Sequence, residues 1–181
     1  MLTVRYIQTP IGEMFAATSE QGICVFDFRY RRMMDHIMKR VQTALGSEVQ
    51  EGNHQHLQTL TTQISEYFLG TRQSFDVPLH LIGTPFQIKV WQGLREIPYA
   101  ETRSYKRQSL VLGDEKAIRA VARANGENGL AIIIPCHRVI GENGSLVGYG
   151  GGLHRKQWLL EHERKHSGKT QQRRLFEDLD T

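Results

Sequence analysis

Ser104-Tyr105-Lys106-Arg107-Gln108-Ser109-Leu110-Val111-Leu112-Gly113-Asp114-Glu115-Lys116-Ala117-Ile118-Arg119-Ala120-Val121-Ala122-Arg123-Ala124-Asn125 reads as two short helices about one turn. Ser104 is placed to cap a helix from Tyr105 to Leu112, Gly113 supplies the turn, and Asp114 is placed to cap a second helix from Glu115 to about Asn125. The spacing predicts a helix-turn-helix. Such units ordinarily read bases from the major groove through polar side chains near the start of the second helix. Here Ala117, Ala120, Val121, Ala122 and Ala124 leave that helix slim, with Arg119 and Arg123 as its long side chains. A slim basic helix suits a narrow groove with little sequence reading. On these residues alone, a plain packed helix with two solvated arginines is the simpler reading.

Upstream, Thr84-Pro85-Phe86-Gln87 carries a capping-box pattern with Pro at the first helical position. It predicts a helix through Val90, Trp91 and Leu94 that stops before Pro98, and it marks where a second domain starts. We therefore divide the chain at residues 1–82 and 83–165, with 166–181 as a polar, disordered tail. In the first unit Thr3 to Ile7 alternates, Pro10-Ile11-Gly12 breaks the pattern, Met14 to Ala17 resumes it, Glu20-Gln21-Gly22 turns, and Ile23 to Phe28 runs on. This predicts three antiparallel strands in a meander. Met34, Ile37, Met38, Val41 and Leu45 recur at helical spacing up to Gly46, and Leu57, Leu60, Ile64 and Phe68 do so up to Gly70. Val77 to Ile82 reads as an extended connector.

With 181 residues and 39% apolar content, the chain can bury one substantial core or two small ones. No run of about 18 apolar residues is available to span a bilayer, and the first residues lack the pattern of a signal peptide. A cytoplasmic protein is expected, with no membrane partner. The net charge of +4 is unevenly shared: residues 1–82 hold 7 Lys/Arg against 8 Asp/Glu, whereas residues 83–165 hold 13 against 8. Basic charge gathered on one small unit is the footprint of a nucleic-acid binder, although ordinary surfaces also carry modest surpluses.

Two cysteines, Cys24 and Cys136, are too few for a disulfide framework or a four-cysteine zinc site. Cys24 lies inside the apolar run Ile23-Cys24-Val25-Phe26 and reads as core. His54 and His56 stand in a polar stretch without carboxylate or thiolate companions, so no metal is assigned. Cys136 is different. Ala131 to Ile134 reads as a short apolar strand that Pro135 ends, delivering a thiol beside His137 and Arg138. Adjacent cationic or basic groups lower a thiol's pKa and make it a nucleophile, so Cys136 is expected at the mouth of a pocket as a reactive thiolate. Downstream, Val147-Gly148-Tyr149-Gly150-Gly151-Gly152 lets a ligand approach the backbone, without the Lys-Ser/Thr pair of a phosphate loop. Leu153 to about Lys165 reads as a last helix, with Trp158, Leu159 and Leu160 turned inward.

Together, Asn128, Pro135-Cys136-His137-Arg138-Val139-Ile140, Gly144, Gly148-Tyr149, Gly151-Gly152-Leu153, Lys156, Trp158-Leu159-Leu160 and Glu163 resemble the active-site half of the 6-O-alkylguanine-DNA alkyltransferases, also called methylated-DNA:protein-cysteine methyltransferases. The likeness extends upstream through Phe86, Val90-Trp91, Ile97-Pro98, Ser104-Tyr105, Gly113 and Arg119-Ala120-Val121, covering roughly residues 83 to 165. It implies an RNase H-like N-terminal sheet with helices, remote from the chemistry, followed by a helical, winged helix-turn-helix-like domain. The implied reaction is irreversible, stoichiometric transfer of an alkyl group from 6-O-alkylguanine, and from 4-O-alkylthymine as a second class, in double-stranded DNA to Cys136 of a monomer. No cofactor is implied.

By the same resemblance His137 acts as base through a bridging water, Glu163 orients the imidazole, Asn128 braces the Cys136 turn, and Tyr105 protonates the departing guanine. Arg119 is the finger that replaces a flipped nucleotide, and Ala120, Arg123, Arg138 and Ser104 join it on the DNA face. Pro135, Val139, Tyr149, Gly150, Gly151, Lys156 and Trp91 form the substrate pocket. Gly150 stands where many relatives carry serine, Gly129 where many carry proline, which implies a looser loop, and Arg107-Gln108-Ser109 replaces a small or apolar run. The competing readings are a non-catalytic binder of alkylated DNA, against which Cys136 argues, and a part of an Ada-type regulator, whose zinc-binding cysteines are missing. A thiol hydrolase gives no reason for the slim basic helix.

Overall fold

The computed structural model describes residues 1–168. Strands β1 (Leu2–Ile7), β2 (Met14–Ser19) and β3 (Gly22–Phe28) form the antiparallel meander expected from the alternation. A fourth strand, β4 (Val49–Glu51), pairs parallel with β1, so the sheet is mixed, in the order β3-β2-β1-β4. Its three residues are all exposed and show no alternation, which is why the pattern did not reveal it. Helix α1 (Met34–Leu45) lies between β3 and β4, and Gly46 ends it in the left-handed conformation.

Each face of the sheet has its own cover. Leu2, Val4, Ala17, Cys24 and Val25 pack with Ile37 and Val41 of α1. Met14, Ala16, Ile23, Phe26 and Phe28 pack with Leu57, Leu60 and Tyr67 of α2 (Gln55–Phe68). That second cluster does not stop at residue 82: Trp91, Val121, Leu130, Ile134, Cys136 and Leu159 belong to it. With both faces covered, all seven residues of β3 are buried. His54 is absorbed locally, its ring nitrogen accepting from His56 N as the cap of α2.

Helix α3 (Pro85–Arg95) starts with the predicted capping box, Gln87 N donating to Thr84 Oγ1 at 3.2 Å and Thr84 N to Gln87 Oε1 at 2.9 Å. After β5 (Arg103–Ser104), Ser104 caps α4 (Tyr105–Val111), and Gly113 turns at φ +89°. Asp114 caps as expected, but it opens one 3-10 turn, Glu115–Ala117, before α5 (Ile118–Gly126) begins. The helix-turn-helix is therefore present with a tightened entry.

The apolar run Ala131–Ile134 is not a strand. Only Leu130 bridges Phe26, and the chain then folds into a buried turn, with Ile133 N donating to Ala131 O and Ile134 N to Leu130 O. Ile132 sits at φ +70°, a strained position for a β-branched residue that the surrounding core over-determines. Cys136–Arg138 follows as a 3-10 turn, then β6 (Val139–Ile140), parallel to β5, and α6 (Leu153–His166). The tail expectation begins inside α6, which reaches His166; residues 169–181 lie outside the described residues. Gly129 does not loosen its loop: a Cβ there would lie 2.8 Å from Ile37 Cγ2, so glycine lets α1 pack closely. Among the described residues no helix is long and apolar enough to cross a membrane.

Candidate active site

Asn128 organises the turn that carries the thiol. Its Oδ1 accepts from Leu130 N at 3.0 Å, and its Nδ2 donates to Ile134 O at 3.0 Å and to Cys136 Sγ at 3.3 Å. The inward turn sets Cys136 in the core wall, 9% exposed, rather than at a pocket mouth as its sequence context predicts. Burial raises the thiol's pKa, against the expected lowering by its chain neighbours. The positive charges that oppose the rise, alongside the Asn128 hydrogen bond, belong to Arg31 and Lys156. Cys136 therefore rests as a thiol.

Its neighbours in sequence serve a different centre. Glu163 on α6 is fully buried and collects His137 Nε2 at 2.7 Å, Arg138 Nε and Nη2 at 2.9 and 3.0 Å, Tyr67 Oη at 2.8 Å and Ala100 N at 3.1 Å. Burial would raise its pKa, but His137 and Arg138 hold the carboxyl well below the usual range. A carboxylate at Nε2 fixes the imidazole tautomer: the proton is on Nε2 and Nδ1 carries the free lone pair. Nδ1 is buried and has no protein partner, and burial lowers the ring's pKa, so His137 is neutral with an acceptor nitrogen left open. Arg138 Nη1 donates to Ile97 O at 2.7 Å. Its placement on a DNA face is thereby corrected, because a buried guanidinium with a carboxylate and a carbonyl partner does not reach phosphate.

A cavity of about 600 Å³ is lined by Tyr105, Arg119, Ala122, Val147, Tyr149 and Gly150 with Arg31, Arg32 and Met33; of these, Tyr105, Tyr149 and Arg31 interact electrostatically with Cys136. Arg31, Arg32 and Met33 come from the loop after β3, and Tyr67 comes from α2. The N-terminal unit is thus not remote from the site, contrary to the expectation, because the shared core brings both units to one wall. Tyr105 Oη donates toward Gly148 O and Val147 O at 3.3 and 3.4 Å, and its phenol is pushed up to about 12, first by burial and then by the Cys136 sulfur once that is ionised. Tyr149 rests edge-on against Phe28, and burial raises its phenol far above the ordinary value. Lys156 Nζ, fully buried, ties Val139 O to Val147 O at 2.5 and 2.7 Å, and burial pulls it down to about 8. Gly151 lies against the Phe28 ring, where a Cβ would come within 2.6 Å of Cδ2.

Other expected residues stand apart. Trp91 is core, its Nε1 donating to Ala124 O at 2.8 Å behind α5, so its pocket placement is corrected. Pro135 lines a separate cleft with Tyr99, Ile133 and Arg138. Ala120 and Arg123 face a groove with Phe86 and Gln87, and Arg123 Nε meets Glu127 Oε1 at 3.0 Å. Gln108 and Ser109, which replace part of a small or apolar run, are nonetheless buried, and Gln108 Oε1 accepts from Arg103 Nη1 at 2.8 Å. Arg31 and Tyr67 were missed: each lies in a segment that reads locally as loop or helix face. Among the described residues no group of three or more His, Cys, Asp or Glu could hold a metal ion.

Comparison with known proteins adds the following. A family model described as 6-O-methylguanine DNA methyltransferase, DNA binding domain, matches residues 85–165, and one described as the ribonuclease-like domain of the same proteins matches residues 2–81. The methylated-DNA--protein-cysteine methyltransferase of Mycolicibacterium paratuberculosis is 41% identical over 167 residues, spanning 92% of this chain and 95% of that protein. The constitutive methylated-DNA--protein-cysteine methyltransferase of Bacillus subtilis is 42% identical over 158 residues, or 87% and 92% of the two chains. A crystal structure of Mycobacterium tuberculosis OGT in complex with DNA superposes with a TM-score of 0.80 at 38% identity, covering 91% of this chain and 94% of that one.

Proposed function

This chain belongs to the 6-O-methylguanine DNA methyltransferase family, and from that premise we propose that it removes alkyl groups from the 6-oxygen of guanine in duplex DNA by transferring them to Cys136. It is a methylated-DNA--protein-cysteine methyltransferase acting in direct-reversal repair. Cytoplasmic placement and the division at residue 82 are part of the same reading.

The observation that supports the residue assignment is the His137–Glu163 pair, one residue along the same turn from Cys136, with the accepting nitrogen of the imidazole left free. Glu163 holds His137 by Nε2, which leaves Nδ1 to take the Cys136 proton through one water. The sulfur then attacks the alkyl carbon: an S–C bond forms, the C–O6 bond breaks, and the electron pair leaves with guanine. Tyr105 donates its phenolic proton to that anion, and the imidazolium proton returns to the phenolate. Arg31 and Lys156 favour the thiolate as it forms, so charge appears only when the site is used. The thioether is not reversed, and one molecule repairs one lesion.

Reaching a stacked base costs a few kcal/mol of unstacking and unpairing. Arg119, exposed on slim α5 at the cavity edge, is the side chain to enter the vacated space. Incubation with duplex DNA containing 6-O-methylguanine is expected to add one methyl mass to the peptide bearing Cys136, with none added to Cys136→Ser. Intact-protein and peptide mass spectrometry showing no adduct in the unaltered protein, or the same adduct in the variant, would overturn the assignment.

A further inference from the structure

Arg31 is a cation that turns inward. It follows β3 by three residues, yet its side chain is only 5% exposed. Nη1 pairs with the buried Asp27 carboxylate and donates to Asn128 O at 2.6 Å, and Nη2 donates to Gly126 O. Arg40 of α1 donates to Glu127 O at 3.2 and 3.3 Å. Three consecutive carbonyls at the C-terminal end of α5 are therefore taken by two arginines of the N-terminal unit. These carbonyls lack helical partners and carry partial negative charge, so a guanidinium fork suits them.

The opposite edge of Arg31 faces the glycine loop. Its Nε is buried without a partner, and a Cβ built on Gly150 would lie 2.5 Å from Nε and 2.6 Å from Nη2. No side chain fits there while Arg31 stays. One guanidinium thus touches both walls of the cavity, α5 with Arg119 and Ala122 on one side and Gly150 on the other. It is also one hydrogen bond from Asn128, whose amide holds Cys136 Sγ.

We propose that Arg31 is a positioning residue for alkyl transfer: a brace from the N-terminal unit that sets the cavity width between α5 and the glycine loop and holds Asn128 against Cys136, with Gly150 as its obligate partner. The proposal rests on the alkyl-transfer reading above. A buried ion pair with Asp27 alone would be explained by packing; the carbonyl fork and the apposed glycine are what give the side chain a role at the site.

Because the reaction is stoichiometric, its amplitude counts folded molecules and its rate constant reports geometry. Arg31→Lys keeps a charge beside Asp27 but cannot reach both carbonyls. With saturating duplex bearing 6-O-methylguanine, this variant is expected to keep full amplitude while its rate constant falls on the order of 10- to 100-fold, the scale of a small misplacement of reacting groups. Free benzylguanine should show the same loss, and affinity for undamaged duplex should change less than about twofold. Gly150→Ser should slow the reaction beside Arg31 yet add no further loss in the Arg31→Lys background. An unchanged rate constant in Arg31→Lys, or losses that simply add in the double variant, overturn the brace. Absence of any adduct in the unaltered protein overturns instead the alkyl-transfer reading.

Discussion

Two thiols lie in the two apolar clusters of this protein, and depth hardly separates them: Cys24 is 5% exposed and Cys136 is 9% exposed. Burial raises the pKa of both. The difference is in what surrounds the sulfur. Cys24 lies on β3 and packs in the cluster with Leu2, Val4, Ile37 and Val41; its thiol donates to Gly22 O at 3.5 Å and has Ser19 as a further polar neighbour, but among the described residues no cation opposes the rise. Cys136 has an amide donor at 3.3 Å and two cations that oppose the rise, and the residues that follow it in its turn, His137 and Arg138, are held with Tyr67 by the buried Glu163 carboxylate. The reactivity proposed for Cys136 therefore rests on charges that support its anion and a nearby open acceptor nitrogen, not on exposure.

The largest expected way to break that contrast is to strip the network. Glu163→Ala leaves Arg138 buried without its carboxylate, and chemical denaturation should show a loss of about 3–5 kcal/mol. A variant as stable as the parent would mean that the network contributes nothing to holding the turn.

Acid should sharpen the contrast without mutation. His137 and Glu163 both have lowered pKa values, from 6.5 and 4.5, and so bind fewer protons folded than unfolded. Their contribution is complete above about 6.5 and is lost as pH falls, first by charging His137 and then by protonating Glu163. The two cysteines, raised above 9.0, give the opposite sign and lose their contribution only on the alkaline side. Thermal melts from pH 7 to 4 should therefore fall steeply in the parent and less in a His137→Asn variant; parallel curves would remove His137 from the acid limb.

Arg119→Ala tests whether the surroundings of Cys136 are built for duplex DNA as well as for chemistry. Repair of duplex should slow about tenfold, or about 1.4 kcal/mol, while reaction with free benzylguanine stays near the parent rate. Equal slowing in both assays would remove the finger role.

The smallest effect is expected at the other thiol. Cys24→Ala should cost about 1 kcal/mol for the lost packing and leave one methyl per molecule. Loss of the adduct in this variant would erase the distinction between the two regions.

Elements with strong local chemistry were legible in the chain. The Thr84 box, the Ser104 and Asp114 caps, the Gly113 turn and the amphipathic repeats of α1 and α2 all lie where their residues place them. Less legible was β4, three exposed residues held only by pairing with β1. The run Ala131–Ile134 misled because apolar content within four residues cannot separate a strand from a buried turn, and Asn128 decided for the turn. At the site, the resemblance points to Asn128, Cys136, His137, Tyr105, Tyr149 and Glu163, and the fold joins Asn128 to Cys136, His137 to Glu163, and Tyr105 to Tyr149 along one cavity, whereas Arg138 and Trp91 are buried away from the surfaces expected of them.

What the amino-acid order determined by itself was the inventory: which caps start helices, which residues are apolar, and which thiol has a histidine beside it. Those signals act within a few residues, so they survive without a fold. Only the tertiary structure decided which charges act on the sulfur. Arg138, adjacent in sequence, is turned away to Glu163, while Arg31, from another unit, is brought in by the shared core. Electrostatic influence falls with distance through space, and the chain carries no record of that distance until it has folded.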